Sequence, residues 1–263
     1  MEHFKKLTLR YNPQSIEKQV RKWPVLFSEE VLHNDLVFRV KQIIGETADG
    51  WISPFTTKYS FDEDFIAEYG IDACRLATIS SSNNPALAES LLESSFKWLA
   101  RVYSSFSQNT TAEFNPVPWL EALLQLQDHI IKRNADNQAL ALVKKAFKEA
   151  PPSKQTATRN LQLVASVLSP FAPILASKLL CNEQIVNRRE TISQQQLLAL
   201  FPEYIYIKVA LEKGGWHWQV FSRKIYEDNP MIELSKIKWI NSAINGKNTK
   251  LVNTDGGLRI CFY

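Results

Sequence analysis

The sequence has 263 residues, of which 45% are hydrophobic and 22% are charged, enough for one large or two ordinary hydrophobic cores. The formal net charge of +4 allows binding to a polyanion but excludes the strongly basic class of histones and basic tails. Three widely spaced cysteines exclude a disulfide framework and a cysteine-rich zinc module, so we expect reduced thiols and an intracellular protein.

No apolar run approaches the roughly 18 residues that span a bilayer, and no signal peptide is visible. A mitochondrial transit peptide is disfavoured because Glu2 and Glu17 lie among the basic residues of the first 23 positions. We therefore expect no membrane contact and a cytoplasmic location, or the mitochondrial matrix if the source is eukaryotic.

The first predicted element is a short helix over residues 12–23, which begins with a capping residue followed by proline. The following segment, residues 24–61, gives mixed signals. Its apolar residues between Val31 and Val40 could form a short helix or a strand.

A short helix that begins near Asp62 ends at Tyr69-Gly70, where glycine suits a helix terminus. Asp72 is placed to cap the helix that follows, because its carboxylate can accept hydrogen bonds from unpaired backbone N–H groups. We interpret Asp72 and Arg75 as structural residues, a helix cap and a packing or ion-pairing side chain.

Apolar residues at three- and four-residue spacing then predict a series of amphipathic helices. These helices cover residues 85–108, 118–131, 135–150 and 153–180. Pro151-Pro152 ends the third helix, and the internal Pro170 and Pro173 should kink the fourth helix or split it in two. The pattern predicts a bundle of four or more helices.

Beyond residue 203 the pattern becomes that of strands. Strands are predicted at residues 204–211, 216–221, 250–253 and 258–263, and a single helix over Pro230–Ala243 separates the two pairs. The predicted fold class is therefore mainly α, a helical bundle followed by a small α/β module of order ββαββ. The predicted domains are residues 1–61 as an N-terminal extension, 62–183 as the bundle, 184–203 as a linker and 204–263 as the module.

Two stretches carry a resemblance to a known family. Tyr69–Leu76 reads Y-G-I-D-A-C-R-L, and Phe96–Tyr103 reads F-K-W-L-A-R-V-Y. Together they resemble the Y-G-A-D-x-x-R-L … R-F-L-x-R-V-W run of bacterial-type leucyl-tRNA synthetases, which are class I aminoacyl-tRNA synthetases. In that family the run marks where the catalytic domain meets the helical domain that grips tRNA.

Other parts of the chain resemble the same family in the same order. Tyr11–Trp23 is similar to its N-terminal Y-x-P-x-x-I-E-x-x-V-x-x-x-W, and Trp51–Pro54 to its W-V-S-P segment. Val167–Ile174 is similar to the L-x-P-F-x-P-H segment of that family. The predicted ββαββ order is similar to the family's C-terminal module, which touches the tRNA elbow. The resemblance implies a truncated homologue that keeps the anticodon-binding-type helical domain and this module, without the catalytic and editing domains.

The motifs that form aminoacyl-adenylate in that family are absent from the sequence. No H-x-G-H occurs, and Ser53–Tyr59 stands where K-M-S-K-S is expected, with Lys58 as its only basic residue. Basic side chains of that loop neutralise charge on the ATP phosphates. We therefore assign no catalytic residue, cofactor or metal ligand, although the family activity is that of a leucine–tRNA ligase.

The residues predicted to bind RNA are basic side chains on the predicted helices, because helical synthetase domains recognise tRNA by shape and phosphate contacts. These candidates are Lys97, Arg101, Lys132, Arg133, Lys144, Lys145 and Lys148, with Arg188-Arg189 beyond the bundle. Any single basic pair on a helix is more often a solvated surface than a binding site.

Trp216 and Trp218 are further candidates, in an aromatic strand that continues to Phe221. The family carries basic residues at these positions, so positive charge has been lost along this strand. The aromatic rings could stack on RNA bases, anchor a protein partner or fill a core.

We interpret the chain as a non-catalytic leucyl-tRNA synthetase-like protein that binds tRNA or another structured RNA. One alternative is the tRNA-binding half of a split leucine–tRNA ligase that works with a separate catalytic chain. Another is a protein-interaction or structural scaffold in a ribonucleoprotein assembly.

The missing adenylate-forming motifs lead to a direct prediction. Purified protein, free of host synthetase, should show no leucine-dependent ATP–pyrophosphate exchange, because no phosphate-neutralising loop is present. Exchange above the level of a mock purification would contradict the non-catalytic interpretation.

Overall fold

The computed structural model describes residues 29–44, 68–81, 85–110, 112–133, 135–180, 193–255 and 257–263. The predictions made for residues 11–23, for residues 51–59, for the helix start near Asp62 and for Arg188-Arg189 lie outside these ranges. The chain divides into two compact units, Met1–Leu197 and Leu198–Tyr263. The four-part division at residues 61, 183 and 203 stays a prediction.

The described part of the first unit is helical. Its helices are α1 (Glu29–Ile44), α2 (Ile71–Ser81), α3 (Pro85–Ser105), α4 (Val117–Leu126), which continues as the π-helix Gln127–Lys132, α5 (Asp136–Glu149), α6 (Thr158–Leu168) and α7 (Pro173–Leu180). A short helix α8 (Gln194–Ala199) spans the boundary between the units. In the described residues, each of these helices is too short or too polar to cross a bilayer.

The helices of the first unit pack as a bundle. Helix α2 packs against α3, α4 against α5 and α6, and α6 against α7, while α5 and α7 both contact α2. The residues buried most completely include Trp119, whose indole N–H donates to the carbonyl of Ala150 at 2.8 Å just beyond the end of α5. The predicted bundle of four or more helices is confirmed, and so is the split at Pro170 and Pro173.

Helix α1 resolves the ambiguity between helix and strand. Leu32, Leu36, Val40 and Ile43 are all buried, and their spacing of four, four and three residues places them on one face of a helix. That face packs against α2 and the π-helix. His33 adds a polar contact, since its Nδ1 lies 2.9 and 3.0 Å from the two carboxylate oxygens of Asp136 in α5.

Asp72 caps a helix other than the one expected. It lies at the second position of α2, and its carboxylate accepts hydrogen bonds from the backbone N–H groups of Ile174 at 3.3 Å and Leu175 at 2.8 Å. These groups belong to the first turn of α7, about a hundred residues away in sequence, where backbone N–H groups have no partner within their own helix. Because Asp72 is fully buried, this contact joins α2 to α7 without water.

Arg75 joins the same elements from the next turn of α2. Its guanidinium donates to the carbonyl oxygens of Pro170 and Phe171, in the turn before α7, and to Asp35 of α1 at 2.9 Å. Asp35 also accepts a hydrogen bond from Arg39 at 2.8 Å. Burial lowers the pKa of Arg75 to about 9, with Arg39 adding to the decrease and Asp72 opposing it, so the side chain is a cation at neutral pH.

The second unit is a four-stranded sheet with three short helices. Its elements are β1 (Tyr204–Leu211), β2 (His217–Ser222), α9 (Arg223–Asp228), α10 (Pro230–Ser235), α11 (Lys238–Ile244), β3 (Thr249–Thr254) and β4 (Gly257–Phe262). The strand order is β2-β1-β4-β3, in which β1 and β4 are parallel and the outer pairs are antiparallel. The predicted fold class, a mainly α fold followed by a small α/β module, is confirmed.

The single helix predicted over Pro230–Ala243 is wrong, because the chain forms α10 and α11 with an extended residue, Ile237, between them. Leu234 and Ile240 are both fully buried against the sheet. In a continuous helix, six residues at 100° per residue would leave these two side chains about 120° apart around the axis, and the break lets both face the same core.

Removing the carboxylate of Asp72 should loosen the start of α7. We expect Asp72→Ala to lower the free energy of unfolding by about 2 kcal/mol or more, since two buried N–H groups lose their acceptor. Hydrogen exchange at the amides of Ile174 and Leu175 should also become faster. The exposed Glu113→Ala is the matched control, and unchanged exchange at both amides in Asp72→Ala would contradict this role.

Candidate nucleic-acid interface

The predicted basic residues of the helical unit occupy three elements. Lys97 and Arg101 lie on α3, Lys132 and Arg133 at the end of the π-helix, and Lys144, Lys145 and Lys148 on α5. Helix α3 meets α5 where the rings of Trp98 and Phe147 pack edge to face, 6.0 Å apart. This contact brings the basic residues of α3 near those at the carboxyl end of α5.

Lys132 and Arg133 lie apart from that group. They precede the amino end of α5, whereas Lys144 and Lys148 lie in its last two turns. At 1.5 Å of rise per residue, the two groups are separated by roughly 15 Å along the helix. The predicted set of basic residues therefore forms two clusters.

Lys144 is partly a packing residue. Its ammonium lies 5.8 Å from the centroid of the Trp98 ring, and burial lowers the pKa of its side chain. The contact with the ring offsets part of the cost of that burial. Lys144 is therefore less accessible to a phosphate than its position on the helix suggests.

Three of the other basic residues are paired with carboxylates one turn away. Lys97 lies 2.6 Å from Glu93, Lys132 lies 2.6 Å from Asp128, and Lys145 lies 3.8 Å from Glu149. The three lysines are exposed and such pairs are individually weak, but each carboxylate offsets the local positive charge.

Arg101, Arg133 and Lys148 differ from these paired residues. All three are exposed, and none forms an ion pair in the part of the chain that the structure describes. Their charge is therefore available to an anionic partner.

The sheet of the second unit has two different faces, because side chains alternate along each strand. One face carries Val209, Phe221, Leu258 and Ile260 and packs against the three helices α9, α10 and α11. The opposite face is here called the outer face. Its described strand residues are Tyr204, Tyr206, Lys208, Ala210, Trp218, Val220, Ser222, Lys250, Val252, Thr254, Gly257, Arg259 and Cys261.

Two pairs of a cation and an indole ring lie on the outer face. Lys208 of β1 is directly opposite Trp218 of β2, and its ammonium lies 5.5 Å from the centroid of the ring. Arg259 of β4 lies over the ring of Trp216, with 4.7 Å between the guanidinium carbon and the centroid. Arg259 also donates to the carbonyl oxygens of Leu211 at 3.3 Å and Glu212 at 2.7 Å.

The outer face is positively charged. Among its described strand residues, Lys208, Lys250 and Arg259 are basic and none is Asp or Glu. These cations come from β1, β3 and β4, whereas β2 carries no Lys or Arg. The pattern along β2 alone does not reveal Lys208 and Arg259. For Lys208, the turn at Lys213-Gly214-Gly215 could have indicated the contact, because it pairs β1 with β2 in an antiparallel register that places Lys208 opposite Trp218.

The aromatic strand does not present one continuous surface. Trp218 faces outward, whereas Phe221 is buried and contacts Tyr226 of α9 at 4.9 Å between ring centroids. His217 lies on the helical side, where its ring is 5.3 Å from that of Trp239. Of this cluster, only Trp216 and Trp218 belong with the cations of the outer face.

The remaining predicted residues take part in packing. Tyr69 contacts Phe96 edge to face at 6.1 Å, which joins the approach to α2 with α3. Gly70 has a φ of 79°, the left-handed conformation that glycine adopts most readily before a new helix. Within the described ranges no three His, Cys, Asp or Glu side chains gather as a metal site would require.

No family model matches the chain, and no curated protein matches it. Among solved structures, the chain is similar to LeuRS of Agrobacterium radiobacter K84 (agnB2), crystallised as a ternary LeuRS–tRNA–LeuAMS complex. The alignment has 14% sequence identity and a TM-score of 0.36, and it covers 78% of this chain. It covers 30% of the LeuRS chain, so this protein spans less than a third of that length.

The outer face depends on a close approach at Gly257. Its φ is 131°, and a Cβ added there would lie 2.3 Å from the carbonyl oxygen of Lys208. We expect Gly257→Ala to weaken the pairing of β1 with β4, because both the backbone conformation and the contact become unfavourable. Faster hydrogen exchange across these two strands would report the change.

Two other glycines separate the effect of the backbone conformation from the effect of the close contact. At Gly246 the φ is 70° but no atom lies within 4 Å of an added Cβ, so alanine there should cost only the roughly 1–2 kcal/mol of the left-handed conformation. At Gly215 an added Cβ meets nothing within 4 Å, and the effect should be small. An equal loss of stability in Gly246→Ala and Gly257→Ala would contradict the importance of the close approach.

Proposed function

We propose that this protein binds RNA, with tRNA as the foremost candidate, and does not itself attach an amino acid. The proposal rests on the side chains of the outer face of the sheet. Three cations and two indole rings lie there together, and no carboxylate stands on its described strand positions. Basic residues that accompany aromatic rings suit a ligand with phosphates and planar bases.

The helical unit supports the same proposal. Arg101 of α3 and Lys148 of α5 lie on helices that meet at Trp98, and both are exposed without a carboxylate partner in the described residues. Double-stranded parts of a folded RNA are recognised through shape and phosphate contacts, which require such cations and no fixed motif. The proposed RNA is therefore a structured one.

The sequence resemblance narrows the proposal to tRNA. Tyr69–Leu76 and Phe96–Tyr103 resemble the run that leads into the tRNA-gripping domain of bacterial-type leucyl-tRNA synthetases. In this chain Asp72 and Arg75, from the first stretch, hold the helices of the bundle together. The absence of H-x-G-H and K-M-S-K-S from the sequence supports binding without aminoacylation.

Salt dependence separates phosphate contacts from other binding. Affinity for tRNA should fall as salt rises, with each phosphate contact contributing about 0.7 to 0.9 to the log–log slope. The triple variant Arg101→Ala, Arg133→Ala and Lys148→Ala removes unpaired cations, so it should weaken binding and flatten this slope. The measurement is a titration of labelled tRNA at several salt concentrations.

A matched triple variant serves as the control. Lys97→Ala, Lys132→Ala and Lys145→Ala removes the same formal charge from residues that already face a carboxylate. Its effect on affinity and slope should be smaller. Equal effects of the two triples would indicate a response to net charge alone, and no measurable tRNA affinity at low salt would end the proposal.

A further inference from the structure

The two indole rings of the outer face are held in place before any ligand arrives. Arg259 lies over Trp216 and is itself fixed by the carbonyl oxygens of Leu211 and Glu212. Lys208 lies over Trp218 across the β1–β2 pair. An indole has two π-faces, each cation lies over only one of them, and both tryptophans are partly exposed, so each ring keeps accessible surface for a second planar group. A ring that is already ordered loses little freedom when such a group stacks on it.

The accessibility of the bases selects the kind of nucleic acid. Trp216 directly precedes β2 and Trp218 is the second residue of that strand. Bases inside a duplex are covered on both faces by their stacked neighbours. Only a strand with unstacked, unpaired bases can place one base on each indole.

The charges of the outer face suit the backbone of such a strand. Lys208, Arg259 and Lys250 lie on β1, β4 and β3, which are adjacent in the sheet. The strands are about 4.8 Å apart, and the register offsets each of these cations from the next by two residues, so the three extend diagonally over roughly 16 Å from β1 to β3. A single strand that crosses the sheet would therefore meet a basic side chain on each of these three strands.

At the end of the outer face away from the two tryptophans, Tyr206 is not available for a base to stack on. Its hydroxyl donates to the carbonyl oxygens of Phe201 at 3.1 Å and Leu198 at 3.4 Å, so the preceding segment of the chain lies against it. Burial raises the pKa of Tyr206 to about 12, with Glu203 and Tyr204 adding to the increase, so the hydroxyl keeps its proton as a donor. The stacking positions are thus confined to the end of the sheet where β2 begins.

We infer that the outer face of the sheet binds unpaired nucleotides, whose bases stack on Trp216 and Trp218 and whose phosphates contact Lys208, Lys250 and Arg259. This inference rests on the proposed function and adds that the RNA bound at this site is unpaired. A folded RNA would offer a loop or a single-stranded end to the sheet.

The experiment compares two RNAs with the full chain. A single strand of about ten nucleotides and a blunt duplex of the same length are titrated at several salt concentrations, since binding sites of this kind cover about 4 to 16 nucleotides. The single strand should bind more tightly than the duplex. The double variant Trp216→Leu, Trp218→Leu should reduce single-strand affinity about 10- to 100-fold without changing the salt slope, because stacking is lost but no charge is removed.

Three further variants test the assignment of roles. Trp216→Phe with Trp218→Phe keeps aromatic faces and should restore most of the affinity. Lys250→Ala should reduce the log–log salt slope by about 0.7, the value for one contact with a single strand. Ile225→Ala is the matched control, because Ile225 is 49% exposed on α9 of the same unit and should leave both affinities unchanged.

A measurement on the unmodified protein covers the case in which the leucine variant fails to fold. A single strand that carries 2-aminopurine should lose fluorescence at saturation, because stacking on indole quenches the base. Unchanged fluorescence, or tighter binding of the duplex than of the single strand, would overturn the inference and leave RNA binding itself intact. Failure of tRNA, single strand and duplex alike to bind at low salt would instead overturn the proposed function.

Discussion

The helical unit depends on a buried group of charges. Asp35 accepts hydrogen bonds from Arg39 and Arg75, and Asp72 accepts hydrogen bonds from the backbone of α7. Asp72 and Arg75 of α2, with Asp35 and Arg39 of α1, are almost fully buried. Buried charges are tolerated only when they are paired and hydrogen-bonded, so these groups allow few alternative positions for the helices they join. This group of charges thereby fixes α1, α2 and α7 relative to each other, although they are distant in sequence.

This arrangement has consequences for the basic surface. Helix α3 packs against α2, and the contact between Tyr69 and Phe96 reinforces that packing. Arg101 therefore takes its position from elements that carry no RNA-binding candidate themselves. Asp72 and Arg75 hold this scaffold together, while the proposed binding is assigned to residues on its surface and on the sheet.

Local patterns predict the elements better than they predict the partners of each residue. The long helix from Pro85 and the strand Tyr204–Leu211 follow from apolar spacing and β-branched content, which act within a few residues. The acceptor role of Asp72 toward α7 could not be predicted, because about a hundred residues separate the groups. Lys208 and Arg259 were missed for a related reason, since only the pairing of strands brings them to Trp218 and Trp216.

The strand order has a consequence for how the sheet is assembled. Among the described strands β4 follows β3 in the chain, yet it lies between β1 and β3 and joins β1 in parallel over Val209–Leu211 and Leu258–Ile260. Until β4 is synthesised, the hairpin of β1 and β2 and the lone β3 both present open edges, which are prone to pair with other chains. Contacts of such long sequence separation also slow folding. A nascent chain is therefore most exposed to aggregation just before Gly257 emerges, when the Arg259–Trp216 pair does not yet exist.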